Sequence, residues 1–291
     1  MLLFEQKAEH SSVQELFREM ESKDFQEYKE KIYKKLPPNL QIEGSVLFSM
    51  PGEDYLEWID IVESVKNAKD KFVMFELGAG YGRWCINALY ALNHFNPIPY
   101  HFVAVEAEDT HYHFLQQFFT AHALPKNSYE LIRAAIDTKK GSCFFDMGDP
   151  NGWYGQSINK NHWSLRQKLL FKWQSFFTKS NPSLHKYTKK VPTITLNSLL
   201  KKFERIDLID MDVQGVEFDI INASIDLLSK KVKRLHIGTH SEEIDQNLLS
   251  LLSKEGWENI HSYPVFTKKM TPYGLIEFND GIQSWINPKL R

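Results

Sequence analysis

Residues Phe72–Gly82 read FVMFELGAGYG, and the architecture of this 291-residue chain can be inferred outward from them. Phe72–Phe75 is a short apolar run, which predicts a strand buried on both faces of a parallel sheet. Helix-compatible sequence resumes at residues 83–93. Between strand and helix, glycine recurs at alternate positions: Gly78, Gly80 and Gly82. Strand, glycine turn and helix in this order build a ligand site at the carboxyl end of the first strand of an open α/β sheet.

The residues around the glycine turn indicate which ligand it holds. The dinucleotide fingerprint G-x-G-x-x-G/A would need a small third residue where this chain has Arg83. Glu76, just ahead of the turn, is a poor neighbour for a pyrophosphate and suits a cationic ligand. S-adenosylmethionine carries an ammonium and a sulfonium, and an acidic residue before G-x-G-x-G is typical of its methyltransferases. We therefore predict S-adenosylmethionine as the cofactor, although glycines often only form a tight turn. Four residues are predicted to bind its methionine end: Glu76, Gly78, Ala79 and Gly80.

The composition is that of a globular protein with a sizeable core, since 42% of the residues are hydrophobic and 25% are charged. The formal net charge of −2 and the absence of a basic block argue against a nucleic-acid partner. Two cysteines form neither a disulfide framework nor a zinc cluster, which favours a reducing compartment. The sequence shows no signal peptide and no apolar stretch of membrane-spanning length. We expect a cytoplasmic protein without a membrane partner.

Strand-like and helix-like stretches alternate after the glycine turn, which predicts a doubly wound, Rossmann-like, mostly parallel sheet. Two strand-like runs on either side of Asn279–Gly281 predict an antiparallel hairpin at the C-terminus. The predicted organisation is a helical N-terminal cap over residues 1–68, with helices over 9–35 and 53–67, and a Rossmann-like domain over 69–291. Residues 148–190 break the alternation and are predicted to be an inserted lid or substrate segment. The predicted strands after the first are 101–105, 129–136, 142–147, 191–195, 206–211 and 232–238.

Polar residues follow several predicted strands, and ligands bind beyond the carboxyl ends of such strands. Glu106, followed by Ala107, is predicted to accept hydrogen bonds from the ribose hydroxyls of the cofactor. Asp212 and His240 are predicted to face the methyl acceptor, and Asp212 also to border the cofactor. An alcohol is a weak nucleophile unless a base removes its proton, and His240 has an unperturbed pKa near 6.5 that suits this role.

Two alternatives remain open for these residues. Asp212 could cap the helix that follows it. Asp212 and His240 could instead bind a divalent metal ion. Two ligands fall short of a metal site and the sequence names no third, so no metal is predicted. His236, inside a predicted buried strand, is interpreted as a core histidine.

The acceptor is predicted to be a small molecule or a glycan. Trp153, Tyr154 and Gln156 lie in a turn-rich, aromatic part of the inserted segment, and Glu217 opens the helix after Asp212. These four residues are the predicted acceptor-binding residues. Aromatic rings stack well on the C–H faces of sugars, which favours a carbohydrate.

Residues 195–224, TLNSLLKKFERIDLIDMDVQGVEFDIINAS, resemble the FkbM family of S-adenosylmethionine-dependent methyltransferases. The family hallmark is T-L-D-x-L followed by D-L-x-K-I-D-V-E-G-x-E, and the resemblance extends over roughly residues 70–260. It implies a class I, Rossmann-like O-methyltransferase that acts on a hydroxyl, often of a sugar in a polysaccharide or a glycosylated metabolite. The matching positions are Thr195, Leu196, Leu199, Asp207, Leu208, Asp212, Val213, Gly215 and Glu217.

Two positions depart from the family pattern. Asp210 stands where the family usually has Lys, and Gln214 stands where it usually has Glu. These departures indicate either a different acceptor or a non-catalytic nucleoside- or partner-binding module on the same fold. The retained Asp212, Glu217 and His240 favour the different acceptor.

Overall fold

The protein is described by a computed structural model, which covers residues 54–147 and 187–291. The helix predicted over 9–35 and the acceptor-binding candidates Trp153, Tyr154 and Gln156 lie outside the described residues. The proposed domain boundary and the inserted segment therefore stay predictions.

The described residues form helices and strands in alternation along most of the chain. The helices are α1 Asp54–Lys66, α2 Arg83–Phe95, α3 Asp109–Ala121, α4 Leu196–Leu200, α5 Glu217–Lys231 and α6 Glu242–Lys254, with a 3₁₀ helix at Pro288–Leu290. The strands are β1 Phe72–Leu77, β2 Tyr100–Glu106, β3 Tyr129–Arg133, β4 Ala135–Ile136, β5 Gly141–Met147, β6 Tyr187–Ile194, β7 Leu208–Met211, β8 Arg234–Thr239, β9 Glu258–Tyr263, β10 Thr267–Thr271, β11 Gly274–Phe278 and β12 Gly281–Ile286.

Within the described ranges, the central sheet has seven strands in the order β3-β2-β1-β7-β8-β12-β9. The pairs from β3 to β8 are parallel, and β12 is antiparallel to both of its neighbours. The order reverses on either side of β1, so the carboxyl ends of β1 and β7 lie side by side at the switch point where such sheets bind ligands. The predicted Rossmann-like, mostly parallel fold is confirmed.

Strand β1 is buried on both faces, as its apolar sequence predicts. Phe72 and Met74 pack on one side of the sheet, against α1, α2 and α3. Val73 and Phe75 pack on the other side, against α4, α5 and α6. The alternation follows from the two-residue period of a strand, and it places Glu76 on the side of α2.

Helix α1 is an integral part of this core. Nine of its 13 residues are buried, among them Trp58 and Ile59. The helix packs on the same side of the sheet as α2, where it contacts β7 and β8. The helix predicted at residues 53–67 is confirmed.

A C-terminal antiparallel hairpin is present, but its strands are not the predicted ones. Strand β11 pairs with β10, whereas β12 enters the central sheet between β8 and β9. The two runs around Asn279–Gly281 are therefore both strands, yet they do not pair with each other. Five of the six residues of β12 are buried, so the strand gains more by filling the sheet than by pairing beside a surface turn.

A buried ion-pair network lies beneath α1. Asp60 accepts hydrogen bonds from His236, at 2.7 Å, and from Arg234 and Ser284. Burial alone would raise the pKa of Asp60, but its hydrogen bond to His236 and the charge of Arg234 lower the pKa to about 2. His236 is only 3% exposed, and its interpretation as a core histidine is confirmed.

The buried His122 makes the stability of the fold depend on pH. Its Nδ1 lies 2.9 Å from the carbonyl of Phe118 and its Nε2 lies 3.0 Å from the hydroxyl of Tyr90. Burial lowers the pKa of His122 to about 4, whereas an unfolded histidine has a pKa of about 6.5. The unfolded chain therefore binds the proton more tightly, and stability is lost as the pH falls from 6.5 towards 4.

We expect His122→Gln to remove this contribution. The change in the free energy of unfolding between pH 7 and pH 4 should differ from that of the parent protein by roughly 3 kcal/mol. Urea titrations at both pH values measure it. His113→Gln, on the exposed face of the same helix, is the matched control and should follow the parent protein. Equal pH dependence in parent and His122→Gln would contradict the assignment.

Candidate active site

The glycine turn is held tightly against the neighbouring strand ends. The backbone N–H groups of Gly78 and Ala79 both donate to the carbonyl of Val105, at 2.9 and 3.0 Å. Gly78 has φ +85°, and a Cβ built on it would lie 1.8 Å from the carbonyl oxygen of Asp212. Only glycine permits this close approach of β1 to the residue after β7.

Glu76 and Ala79 do not reach the cleft that the turn borders. The carboxylate of Glu76 accepts from the backbone N–H groups of Trp84 at 3.2 Å and Cys85 at 2.9 Å, which are otherwise unpaired at the start of α2. Burial raises the pKa of Glu76 to about 7, against the opposing effect of these hydrogen bonds. The side chain of Ala79 packs in the core. Both side chains help to fix the turn to the helix and do not line the cleft, and their contact with the cofactor stays a prediction.

Glu106 lies where the sequence places it, at the carboxyl end of β2. One carboxylate oxygen accepts from the N–H of Gly80 at 2.8 Å, and the other accepts from the N–H of Glu108 at 2.7 Å. Burial raises the pKa of Glu106 to about 7. Each oxygen retains a second lone pair for a ligand hydroxyl.

A cleft opens at the switch point of the sheet, between β1, β2 and β7. Its volume is about 640 Å³ when the space that is open to solvent is included. Of the residues predicted to bind the cofactor, those that line it are Gly78, Gly80, Glu106, Ala107 and Asp212. Further lining residues, none of which was predicted to bind the cofactor, are Val105, His111, Ala134, Ala135, Ile136, Phe145, Val213 and Gln214.

Asp212 projects from the end of β7 into the cleft, and 51% of its side chain is exposed. Its backbone N–H donates to the carbonyl of Leu77, which fixes the residue beside the glycine turn. The side-chain amide of Gln214 donates to Asp212 at 2.8 Å. A glutamate at position 214, usual in the family that the sequence resembles, has no N–H to donate. Asp212 does not cap α5, whose N-cap position is Val216 without a side-chain hydrogen bond.

Glu217 is fully buried and holds the turn after β7 together. Its carboxylate accepts from the N–H of Gly215, at 2.9 and 3.1 Å, and from that of Val213 at 3.3 Å. It also lies 2.9 Å from Nδ1 of His240. Glu217 therefore does not line the cleft, where it was predicted to contact an acceptor. The residue positions His240 instead.

His240 follows β8 and is enclosed by carboxylates. Its Nε2 lies 3.1 Å from Oδ1 of Asp212 and 3.9 Å from Oδ1 of Asp280. Burial alone would lower the pKa of His240, but the carboxylates of Asp212 and Glu217 outweigh burial and raise the pKa to about 10. At neutral pH the ring thus carries both protons and cannot accept another. The prediction of His240 as the base relied on an unperturbed pKa, which this surrounding does not give.

Asp210 lies on the face of the sheet opposite to the α4–α6 side, away from the residues that line the cleft. It is paired in register with Glu76 on β1 and with His236 on β8. Burial, together with the charge of Glu76 and Asp212, raises the pKa of Asp210 well above its usual range. Of the two positions that differ from the family pattern, Asp210 therefore lies beneath α1, whereas Gln214 lies in the cleft.

The sequence comparison agrees with the fold and with the cleft. The model of the methyltransferase FkbM domain matches residues 78–256, which is more than half of the chain and includes the glycine turn, Glu106, Asp212 and His240. The chain belongs to the FkbM methyltransferase family.

Individual relatives of this FkbM-family protein are distant. A protein of Jannaschia sp. (strain CCS1), named "Putative methyltransferase", is 26% identical over 215 residues, or 72% of each chain. The FkbM methyltransferase structure of Methylobacillus flagellatus KT is 10% identical with a TM-score of 0.44, and the match covers 89% of this chain and 57% of that one. Precorrin-6y C5,15-methyltransferase of Geobacter metallireducens GS-15 is 12% identical with a TM-score of 0.42, covering 82% and 90%.

Among residues 54–147 and 187–291, no helix of this FkbM-family protein has both the length and the apolar character needed to cross a membrane.

Proposed function

We propose that the protein is an S-adenosylmethionine-dependent O-methyltransferase that acts on a hydroxyl group, in a sugar of a polysaccharide or a glycosylated metabolite. The observation that carries the proposal is the cleft itself. It combines a glycine turn and a buried carboxylate, Glu106, with an exposed carboxylate, Asp212, on its opposite wall. The part with the glycine turn and Glu106 suits a nucleoside, and the part with Asp212 suits an acceptor hydroxyl that loses a proton.

The residues of the cleft fit the cofactor. Glu106 offers lone pairs on both oxygens, which suits the two hydroxyls of a ribose. Ala134, Ile136 and Phe145 form an apolar wall, which suits a purine ring. Gly78 is exposed at the edge of the cleft and lies close to the backbone of Asp212. When bound, S-adenosylmethionine supplies a methyl group on a positively charged sulfur, which leaves as a neutral thioether.

The chain contributes orientation and proton removal. The acceptor oxygen gains the methyl group and loses its proton, and Asp212 is the carboxylate in the cleft that can take this proton. The amide of Gln214 donates a hydrogen bond to the carboxylate of Asp212, and the positive charge of the protonated His240, 3.1 Å away, attracts it. Holding reacting groups in line supplies much of the rate enhancement in such displacements.

Support for a sugar acceptor comes from the family and from the aromatic residues Trp153 and Tyr154, which lie outside the described residues. The experiment is transfer of a labelled methyl group from S-adenosylmethionine to a panel of polysaccharides and glycosides. We expect a labelled methyl ether, which survives mild alkali, whereas a methyl ester does not. Label only in base-labile esters, amines or nucleic acid would contradict the proposal. Cofactor binding without transfer to any acceptor would favour a non-catalytic nucleoside-binding module.

Glu106→Ala is expected to weaken binding of S-adenosylhomocysteine by roughly 10–100-fold, because charge-assisted hydrogen bonds contribute about 1.5–3 kcal/mol. Calorimetric titration measures it. Glu130→Ala is the matched control and should bind S-adenosylhomocysteine normally. It removes a surface carboxylate of β3, the strand next to β2, that is paired with Lys202. If both variants bound equally well, Glu106 would not be a ribose-binding residue.

A further inference from the structure

Asp280 joins Asp212 and His240 at the edge of the cleft, although it is distant from them in sequence. The residue directly precedes β12, whose first residue, Gly281, pairs with Thr239 at the end of β8. Because β12 runs antiparallel to β8, its start lies beside the residue that follows β8, which is His240. A Cβ on Gly281 would lie 2.2 Å from Oγ1 of Thr239, so glycine is needed for this close approach.

His240 is oriented with one nitrogen held and the other directed at the two aspartates. Nδ1 lies 2.9 Å from the fully buried Glu217, which fixes the ring. Nε2 is itself buried, and its position relative to Asp212 falls short of hydrogen-bond geometry. A histidine whose Nδ1 is bonded to a carboxylate, with Nε2 directed at other ligands, is the usual arrangement in metal sites.

We propose that Asp212, His240 and Asp280 bind one divalent cation, which takes the place of the Nε2 proton of His240, with Glu217 as the positioning residue for this ring. Neighbouring ligands of an octahedral cation at 2.0–2.1 Å are about 3 Å apart, and those of a tetrahedral zinc ion are about 3.3 Å apart. The distance of 3.1 Å from Nε2 to Asp212 falls in this range, and that of 3.9 Å to Asp280 is a little longer. Asp280 is 38% exposed, so its side chain has room to close the difference by rotation.

The ligand set indicates the kind of cation. Carboxylates favour Mg²⁺ and Mn²⁺, whereas imidazole favours Zn²⁺ and other late first-row metals, so one imidazole with two carboxylates suits Mn²⁺ or Zn²⁺. Three protein ligands leave positions for water or for an acceptor hydroxyl. The role of the cation rests on the proposed function: it lowers the pKa of a hydroxyl bound in the cleft, whose proton then passes to the oxygen of Asp212 that does not bind the cation.

The experiment is titration of the metal-free full-length protein with Mn²⁺, followed by electron paramagnetic resonance of the free ion. We expect one Mn²⁺ per chain with micromolar affinity, and at least tenfold weaker binding in Asp280→Asn and in His240→Gln. Glu277→Gln, an exposed carboxylate on the adjacent β11, is the matched control and should bind Mn²⁺ as the parent does. Thermal unfolding shows which variants are folded. If Asp280→Asn is not folded, the Mn²⁺ affinity of His240→Gln tests the cation site.

No binding at millimolar Mn²⁺, or binding that neither folded variant weakens, would overturn the cation site. The same samples are titrated with S-adenosylhomocysteine, so the two proposals can fail separately. If the protein binds S-adenosylhomocysteine but does not bind Mn²⁺, the cation site alone is overturned. Binding of Mn²⁺ without the nucleoside supports the cation site and counts against the proposed function.

Discussion

Asp212→Asn is expected to lower the turnover number by roughly 10²–10⁴-fold, the usual contribution of a positioned proton acceptor. Asparagine keeps the shape of the side chain but can neither take the acceptor proton nor bind a cation as strongly. The fold should tolerate the change, because Asp212 is half exposed and its backbone N–H bond to Leu77 is kept. Steady-state kinetics with a saturating acceptor from the panel measure the effect.

The affinity for S-adenosylhomocysteine should change by only a few fold in this variant, since Glu106 and the glycine turn are untouched. Asp226→Asn, an exposed position on α5, is the matched control. If Asp212→Asn had the same turnover number as the control, Asp212 would not be the proton acceptor.

Gly78→Ala is expected to have the largest effect on stability, with a loss of about 3–5 kcal/mol in the free energy of unfolding. The left-handed backbone at φ +85° is unfavourable for alanine, and the new Cβ would lie 1.8 Å from the carbonyl oxygen of Asp212. Relief of this clash requires β1 and β7 to separate at the cleft, so nucleoside binding should be lost as well. Denaturant titration and calorimetry measure the two effects.

Gly238→Ala is the matched control for this substitution. It lies on β8, close to the same aspartate, but its added Cβ would have no neighbour nearer than 3.6 Å. We expect a change below about 1 kcal/mol. Similar stability of the two alanine variants would show that the close approach at Gly78 is not needed.

Most of the fold could be predicted from local sequence. The apolar runs at β1 and β2 and the glycine turn indicate a parallel sheet, because both faces of these strands must be buried. The pairing of β11 could not be predicted this way. Strand-like runs separated by two residues suggest a hairpin, but the partner of β12 is determined by the buried gap between β8 and β9, which no local pattern reveals.

The sequence predicts which residues stand at strand ends, but it does not predict which way a buried carboxylate faces. Glu106 and Asp212 follow strands directly, and both line the cleft. Glu76 lies near the end of β1 and Glu217 is the first residue of α5, but both are buried and accept from backbone N–H groups. Sequence spacing cannot distinguish a carboxylate that faces a ligand from one that holds a turn.

Asp280 could not be found from the sequence, because it meets His240 only through the antiparallel insertion of β12. Gln214 was noticed as a departure from the family, yet its hydrogen bond to Asp212 depends on a left-handed backbone, φ 58°, at that residue. His111, which lines the cleft from α3, carries no sequence signal beyond its residue type.

The measurement that tests the central claim most directly is calorimetric titration of the purified protein with S-adenosylhomocysteine, with and without EDTA. The account predicts binding of one molecule per chain with micromolar affinity, competed by S-adenosylmethionine and lost in Glu106→Ala. If a folded protein gave no heat of binding and no competition, both with and without EDTA, the assignment of this cleft to the cofactor of a methyltransferase would be contradicted.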